Sequence, residues 1–130
     1  MKILFVTCFD SPGGQSNRSY LFAKELDKIG HNITYFTNRY NHLDDHKRSI
    51  IGLNLDNNIK HIFVDNKNFK NKKIISIMLN CLTVFKLLKK NKFDIIISSS
   101  VPLINSFFTL IAKKKETKFF FDLRDVWPDA

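Results

Sequence analysis

The chain has 130 residues, of which 44% are hydrophobic and 25% charged, a composition typical of one folded domain and unlike that of disordered segments. No apolar run approaches the ~18 residues of a transmembrane helix, and the apolar start is shorter than the ~7–15 residues of a signal peptide. The two cysteines, Cys8 and Cys81, have no metal-binding spacing. We therefore expect reduced thiols in a cytoplasmic protein, and no metal site.

The charge is strongly basic and unevenly distributed. There are 21 Lys and Arg against 12 Asp and Glu, a net charge of +9. Residues 65–130 carry thirteen basic and six acidic side chains, and eight lysines without any acid lie between Lys67 and Lys92. This asymmetry indicates an anionic partner, which is a phospholipid surface, a nucleic acid or a phosphorylated ligand. The charge does not distinguish among these three partners. Its weight as evidence is further reduced because the excess of Lys over Arg is also typical of an AT-rich genome.

The first half of the chain begins with an alternation of strand and helix patterns. Residues 2–7 form a short apolar run that predicts a buried parallel strand opening into a loop. A helix is predicted over about 17–29, and Gly30 ends it as a C′ glycine in the left-handed conformation. The β-branched and aromatic residues 33–37 predict a second strand. The polar stretch 38–58 predicts a loop.

The same alternation continues in the second half. Residues 59–64 predict a third strand, and a helix with lysines at both ends follows over about 72–90. Residues 93–98 form the most apolar strand, which we expect to be central. Pro102 suits the first turn of the next helix, which is predicted to run to about residue 114. Residues 118–122 predict a fifth strand.

Apolar strands alternating with helices predict an α/β fold with a doubly wound parallel sheet, Rossmann-like, in one domain over residues 1–130. Ligands of such sheets bind at the carboxyl ends of the strands, so the loops of interest are 8–16, 98–102 and 122–130. Because a parallel sheet must be covered on both faces and the sequence ends soon after a strand, we expect an incomplete domain.

The first candidate site follows the first strand. It comprises Gly13, Gly14, Gln15, Ser16, Asn17 and Arg18. Two glycines let the backbone approach a phosphate or sugar closely, and the free N–H groups of a helix start hold anions. Ser16 or Asn17 is expected to cap the helix. The pattern is neither the dinucleotide fingerprint nor a nucleoside-triphosphate P-loop, and the alternative is a purely structural glycine turn.

The second candidate site follows the fifth strand. Asp122, Arg124 and Asp125 place two acids and a guanidinium within four residues, a costly cluster unless it is solvated, paired or used. One Asp is a candidate general base toward a hydroxyl, with Arg124 orienting it or holding a phosphate. The alternative is an Arg–Asp pair that fixes the loop while Trp127 packs on the sheet edge.

Three segments together resemble a known family. The opening KILFVTCFDSPGGQSNRSYLFAKELDKIGHNITYFT resembles the N-terminal half-domain of family 4 glycosyltransferases of the GT-B architecture, whose A-x-E-L and G-H-x-V-T-V motifs are matched by residues 23–26 and 30–34. FDIIISSSVPL resembles the family's S-S-P-P-L turn, with Val101 replacing a proline. FFFDLRDVWPDA resembles the F-D-x-R-D-x-W-P-E motif of the subgroup that builds bacterial surface polysaccharides, with Asp129 as the acid. The matched segments cover about half of the chain.

The resemblance implies a retaining transferase that moves a sugar from a nucleotide-sugar donor to an acceptor, often a lipid-linked sugar, without a metal or other cofactor. It implies that Gly13 and Gly14 meet the donor diphosphate, with the side chains of residues 15–18 beside the ligand. Arg124 or Asp125 aligns near a cleft-lining histidine of many relatives, so these two are the catalytic candidates. The family's C-terminal donor-binding domain has no counterpart here. We therefore expect the chain to be inactive alone, with that domain supplied, where present, by a separate chain.

The lysine-flanked helix over 72–90 is a candidate for contact with an anionic membrane, at the inner face of the cell membrane. The alternative is a helix that covers the sheet and holds its lysines in solvent. Two other functions remain open. One is a stand-alone α/β nucleotide-binding or regulatory domain, such as a receiver, although only Asp10 follows the first strand. The other is a nucleic-acid binder, which we do not expect because the lysines surround one apolar helix and no recognition motif is present.

Overall fold

The computed structural model describes residues 1–8, 18–38, 55–64, 73–100 and 102–123. Five strands and three helices alternate along these residues. They are β1 (Lys2–Val6), α1 (Arg18–Lys28), β2 (Asn32–Asn38), β3 (Lys60–Val64), α2 (Lys73–Lys90), β4 (Ile95–Ser99), α3 (Leu103–Ala112) and β5 (Lys118–Asp122). Each corresponds to an element predicted from the sequence, with bounds that differ by a few residues.

The five strands form one all-parallel sheet in the order β3-β2-β1-β4-β5. The predicted α/β fold with a parallel sheet is thereby confirmed, and the order matches that of Rossmann-like sheets. The middle position is occupied by β1 rather than by β4, which lies between β1 and β5. In the register, Phe5 lies beside both Tyr35 of β2 and Ile97 of β4.

On one face of the sheet, α1 covers β1, β2 and the start of β3. Its buried residues Tyr20 and Ala23 pack on alternate residues of the strands, and the cluster consists of Ile3, Phe5, Tyr20, Ala23, Ile33, Tyr35 and Ile59. The helix stops at Gly30, whose φ of +89° is a left-handed conformation that L side chains rarely adopt. His31 N–H donates to the Leu26 carbonyl across this turn, at 3.2 Å. The predicted C′ glycine is confirmed.

On the opposite face, α2 and α3 pack against the sheet and against each other. The intervening strand residues point this way because side chains alternate along a strand, and the cluster consists of Leu4, Val6, Phe36, Val64, Val84, Leu88 and Ile96. Helix α2 therefore covers the sheet. It also leaves one side exposed, along which Ile74, Met78, Leu82 and Phe85 follow at helical spacing. Among the described helices, none is long and apolar enough to cross a membrane.

Candidate functional site

The candidate site lies where β1 and β4 run side by side at the centre of the sheet. The chain leaves β1 toward β2 on one side and leaves β4 toward β5 on the other side. Ligands of such sheets bind at the carboxyl ends of the two strands where the chain diverges in this way. The first two of the three predicted loops, 8–16 and 98–102, start at these strand ends.

The side chains around these strand ends are polar although they are buried. The side chains concerned come from the ends of β1 and β4 and from one side of α3, and they are Thr7, Ser98, Ser99, Ser100, Asn105, Ser106 and Thr109. Buried polar groups cost free energy unless they are hydrogen-bonded. Several of the bonds that meet this requirement fix α3 to the strand ends.

A pair of serine hydroxyls joins α3 to β4. The Ser106 hydroxyl donates to the Ser99 carbonyl at 2.6 Å, and the Ser98 and Ser106 hydroxyl oxygens are 2.7 Å apart. Because Ser106 has one hydroxyl proton and gives it to the carbonyl, Ser98 donates to Ser106. The hydroxyl of Thr109 donates to the Asn105 carbonyl one turn back, at 2.6 Å. All of these groups are therefore held in fixed orientations.

Asn105 bridges the two cysteines. Its amide nitrogen donates to Cys8 Sγ, at the end of β1, and the Cys81 thiol of α2 donates to its amide oxygen at 2.9 Å. Burial raises the pKa of the Cys81 thiol, so this thiol keeps the proton that it donates. Both cysteines are free and buried. One amide thus connects α2 and α3 with Cys8, just beyond the end of β1.

Helix α3 has the reverse of the usual amphipathic pattern. Its residues Asn105, Ser106 and Thr109 face the sheet, and its exposed side is apolar: Leu103, Ile104, Phe107, Phe108, Leu110 and Ile111. The sequence pattern predicts this helix but not the side that it buries. The available signal was the spacing of the three polar residues at i, i+1 and i+4, which places them on one face.

One residue from each of the two predicted candidate sites takes part in an ion pair. Arg18, the first residue of α1, pairs with Asp122, the last residue of β5, across 104 positions of the chain. The guanidinium side chain is 72% exposed, whereas the Asp122 side chain is 16% exposed. A fixed carboxylate thus holds a cation that remains accessible from solvent at the carboxyl edge of the sheet.

An open groove extends from this ion pair along the α1 side of the sheet. We call it the α1-side groove; its volume is about 620 Å³, and its lining is largely apolar. The residues include Met1, Phe22, Leu26, His31, Ile95, Ile97 and Phe120, with Arg18 and Asp122 at one end. This arrangement offers one cationic contact and one carboxylate acceptor next to a large apolar surface.

The structure describes only part of the predicted site. Arg18 is described and lies at the carboxyl edge of the sheet, paired as above. The other predicted binding residues (Gly13, Gly14, Gln15, Ser16 and Asn17) and the catalytic candidates Arg124 and Asp125 lie outside the described residues, as does Trp127. Their predicted roles stay predictions. Asp122, one of the two acids of the second candidate site, pairs with Arg18.

A second polar contact, between α1 and β3, was not predicted. Nε2 of His61 lies 3.1 Å from the Tyr20 hydroxyl, which also accepts the Asp56 N–H at 2.9 Å. Burial lowers the pKa of His61 and raises that of Tyr20, so both rings are neutral near pH 7. This contact lies at the β3 end of the sheet, away from Arg18 and Asp122, and it anchors the turn before β3.

Two further observations concern what the site holds and what it is similar to. Within the described ranges, no group of three or more His, Cys, Asp or Glu side chains is arranged to hold a metal ion. Comparisons with models of protein families, with curated proteins and with solved structures found no match to this chain.

Proposed function

We propose that this chain forms the N-terminal, acceptor-side part of a retaining glycosyltransferase, which moves a sugar from a nucleotide-sugar donor in the synthesis of a cell-surface polysaccharide or glycolipid. The proposal is supported by the resemblance of three sequence segments to family 4 glycosyltransferases, and by a fold of the expected class. In this proposal the chain alone does not catalyse transfer, because the resemblance assigns most donor contacts to a second domain.

The observation that carries the proposal is the ion pair between Arg18 and Asp122. Arg18 directly follows the glycine-containing segment 9–17, and Asp122 directly precedes the segment that contains Arg124 and Asp125. Because the pair joins their neighbours, the two segments start from adjacent points at the carboxyl edge of the sheet. One cleft with contributions from both is therefore the simplest arrangement, and this is where a parallel sheet binds a nucleotide or sugar.

The test measures ligand binding by the full chain through changes in its backbone amide NMR signals. We expect a nucleoside diphosphate sugar to shift the signals of residues next to Arg18 and Asp122, and Arg18→Ala to weaken binding by about tenfold, as for the loss of one charge-assisted contact. Lys28→Ala is the matched control, since it removes the exposed cation at the other end of the same helix. Equal binding by both variants, or no shift with any nucleotide sugar, would contradict the proposal.

The second candidate function is a stand-alone nucleotide-binding or regulatory α/β domain. Such a domain would bind its ligand at the same edge of the sheet, so the identity of the ligand distinguishes the two functions. We expect a nucleotide sugar to bind more tightly than the nucleotide without its sugar if the chain belongs to a transferase. Equal affinities favour the stand-alone domain. Detectable sugar transfer by the purified 130-residue chain would contradict the proposal that it is inactive alone.

We also propose that the exposed side of α2 contacts an anionic membrane surface, which would bring the site to a lipid-linked acceptor. The four apolar side chains along this side are followed by cations, and the ammonium of Lys89 lies 4.7 Å from the centre of the Phe85 ring. Helix α2 contains no acidic residue. Each lysine near an anionic surface contributes about 1 kcal/mol.

Sedimentation with lipid vesicles tests this contact. Anionic vesicles should bind the chain more tightly than neutral ones, with an affinity that falls as salt is raised. Met78→Asp, within the exposed apolar row, is expected to abolish binding. The control Asn91→Asp, beyond the end of α2, changes the charge equally and should reduce binding only slightly. Equal partitioning to both kinds of vesicle would overturn the proposal.

A further inference from the structure

In the sheet formed by the described residues, β5 is an edge strand. The Lys118 N–H donates to the Asp94 carbonyl at 2.9 Å, and the Asp122 carbonyl accepts the Ser100 N–H at 3.0 Å. Backbone groups alternate in direction along a strand. Lys118, Phe120 and Asp122 therefore direct their backbone groups toward β4, and Phe119 and Phe121 direct theirs away from the sheet. An exposed row of such groups is a template for another strand.

An exposed aromatic side chain lies on each face of this edge. Phe120 points to the α1 side and is 54% exposed, and Phe121 points to the α3 side and is 42% exposed. The α1-side groove lies beside Phe120. A second groove of about 720 Å³, almost wholly apolar, lies between Phe121, Phe119 and the exposed side of α3, including Phe107. A strand added at β5 would send alternate side chains into the two grooves.

The charges of β5 select the occupant. The strand reads Lys-Phe-Phe-Phe-Asp, with a basic first residue and an acidic last residue. Two copies of it aligned antiparallel therefore place opposite charges next to each other. We propose that β5 pairs antiparallel with β5 of a second copy of this chain, in a register centred on Phe120. This register places Lys118 of each copy opposite Asp122 of the other. Asp122 keeps its contact with Arg18, since a carboxylate accepts several hydrogen bonds.

The backbone directions fit this register independently of the charges. Phe119 lies opposite Phe121 of the other copy, and these are the residues whose N–H and C=O groups point outward. The two such pairs exchange about four hydrogen bonds. Phe120 faces its own equivalent, and Lys118 faces Asp122, in the pairs without hydrogen bonds, where side chains are closest.

The symmetry also brings the apolar grooves together. A two-fold axis perpendicular to the sheet keeps each face on its own side, so the α1-side grooves of the two copies become neighbours, and so do the α3-side grooves. The exposed aromatic rings of β5 then lie beside those of the second copy on both faces. A parallel pairing of two copies in register sets lysine against lysine and aspartate against aspartate, which is unfavourable. The antiparallel dimer joins the five described strands of each copy into one sheet, and it is the pairing that satisfies both the charge and the backbone directions.

The test measures the mass of the full chain in solution by sedimentation velocity and light scattering over a wide range of concentration. We expect the 15.2 kDa chain to form a dimer. Lys118→Glu and Asp122→Lys should each weaken it by about tenfold or more, since each variant alone sets like charges opposite one another. An equimolar mixture of the two variants should restore a one-to-one dimer, because both pairs are then of opposite charge. The double variant Lys118→Glu/Asp122→Lys should also form a dimer by itself.

The control and an independent readout keep the test decisive. Lys60→Glu makes the same change of charge at the start of the other edge strand, β3, and should leave the dimer intact. Because Asp122→Lys also removes the partner of Arg18, amide hydrogen exchange of the unmodified chain provides a second measurement. The Phe119 and Phe121 amides should exchange more slowly as concentration rises. Three outcomes would overturn the proposal: a monomer at all concentrations, equal weakening of the dimer by Lys60→Glu, or exchange of these two amides that is independent of concentration. The edge would then be left to a strand of a different polypeptide.

Discussion

The two ends of the sheet are packed in opposite ways. At the β3 end, α1 buries aromatic and aliphatic side chains on the sheet, and Tyr35 is fully buried with its ring centre 5.2 Å from that of Tyr20. At the β5 end, α3 turns Asn105 and Ser106 toward the sheet and exposes its apolar residues. One end is closed by its own helix, whereas the apolar surface at the other end faces outward.

The difference indicates which part of the sheet contributes most to stability and which part leaves apolar side chains exposed. Burial of apolar area stabilises the fold by about 25 cal/mol per Å², and the β3 end supplies much of that burial. The polar contacts under α3 hold the helix in place at a smaller net gain, about 1 kcal/mol for each hydrogen bond. A contiguous exposed apolar surface is typical of an interaction site, in agreement with the contacts proposed for β5.

The largest expected effect is at the β3 end. Tyr35→Ala should lower the free energy of unfolding by about 3–5 kcal/mol, because it removes a buried ring and leaves a cavity. The matched variant Phe120→Ala removes a half-exposed ring at the β5 end and should lower it by less than about 1 kcal/mol. Urea unfolding at a concentration at which the chain is monomeric measures both. Similar losses in the two variants would contradict the difference between the ends.

A smaller effect is expected beneath α3. Asn105→Ala removes the bridge between Cys8 and Cys81 and should lower the free energy of unfolding by about 1–3 kcal/mol, since buried partners are left unsatisfied. The same substitution at the exposed Asn32 should change it by less than about 0.5 kcal/mol. If Asn105→Ala is as mild as the control, the polar contacts do not hold α3 in place.

The sequence predicted the β3 end better than the β5 end for a physical reason. Period-two and helical patterns depend on local spacing, and they located all eight elements and the glycine at the end of α1. The inward side of α3 depends on which strand residues it meets, here Ser98 and Ser99 at the end of β4. The pairing of Arg18 with Asp122 joins residues 104 positions apart. Such contacts are set by the order of the strands, which local patterns do not contain.

Replacement of Asn80, a residue of α2, is expected to increase stability. It is fully buried, and within the described part of the chain neither polar atom of its side chain has a hydrogen-bond partner. Asn80→Leu, close to it in shape, should raise the free energy of unfolding by about 1 kcal/mol, because an unsatisfied buried amide costs about 1–3 kcal/mol. Asn91→Leu, at an exposed position just beyond the end of α2, should give no gain. A loss of stability in Asn80→Leu would indicate that this amide is hydrogen-bonded in solution.

The smallest effect is a dependence on pH at the β3 end, through His61. Burial lowers its pKa, while the Tyr20 hydroxyl lies against the ring and Asp56 is the nearby acid. Since the unfolded imidazole has a pKa of about 6.5, the unfolded state binds the proton first as pH falls. The stability that neutral His61 provides is therefore fully present above about pH 6.5 and is lost as pH falls through that value and the lower folded one. We expect His61→Gln to reduce the difference in urea midpoint between neutral and mildly acidic pH. An unchanged difference in His61→Gln would mean that the ring at this end of the sheet is not desolvated, and the contrast with the open β5 end would then be one of shape alone.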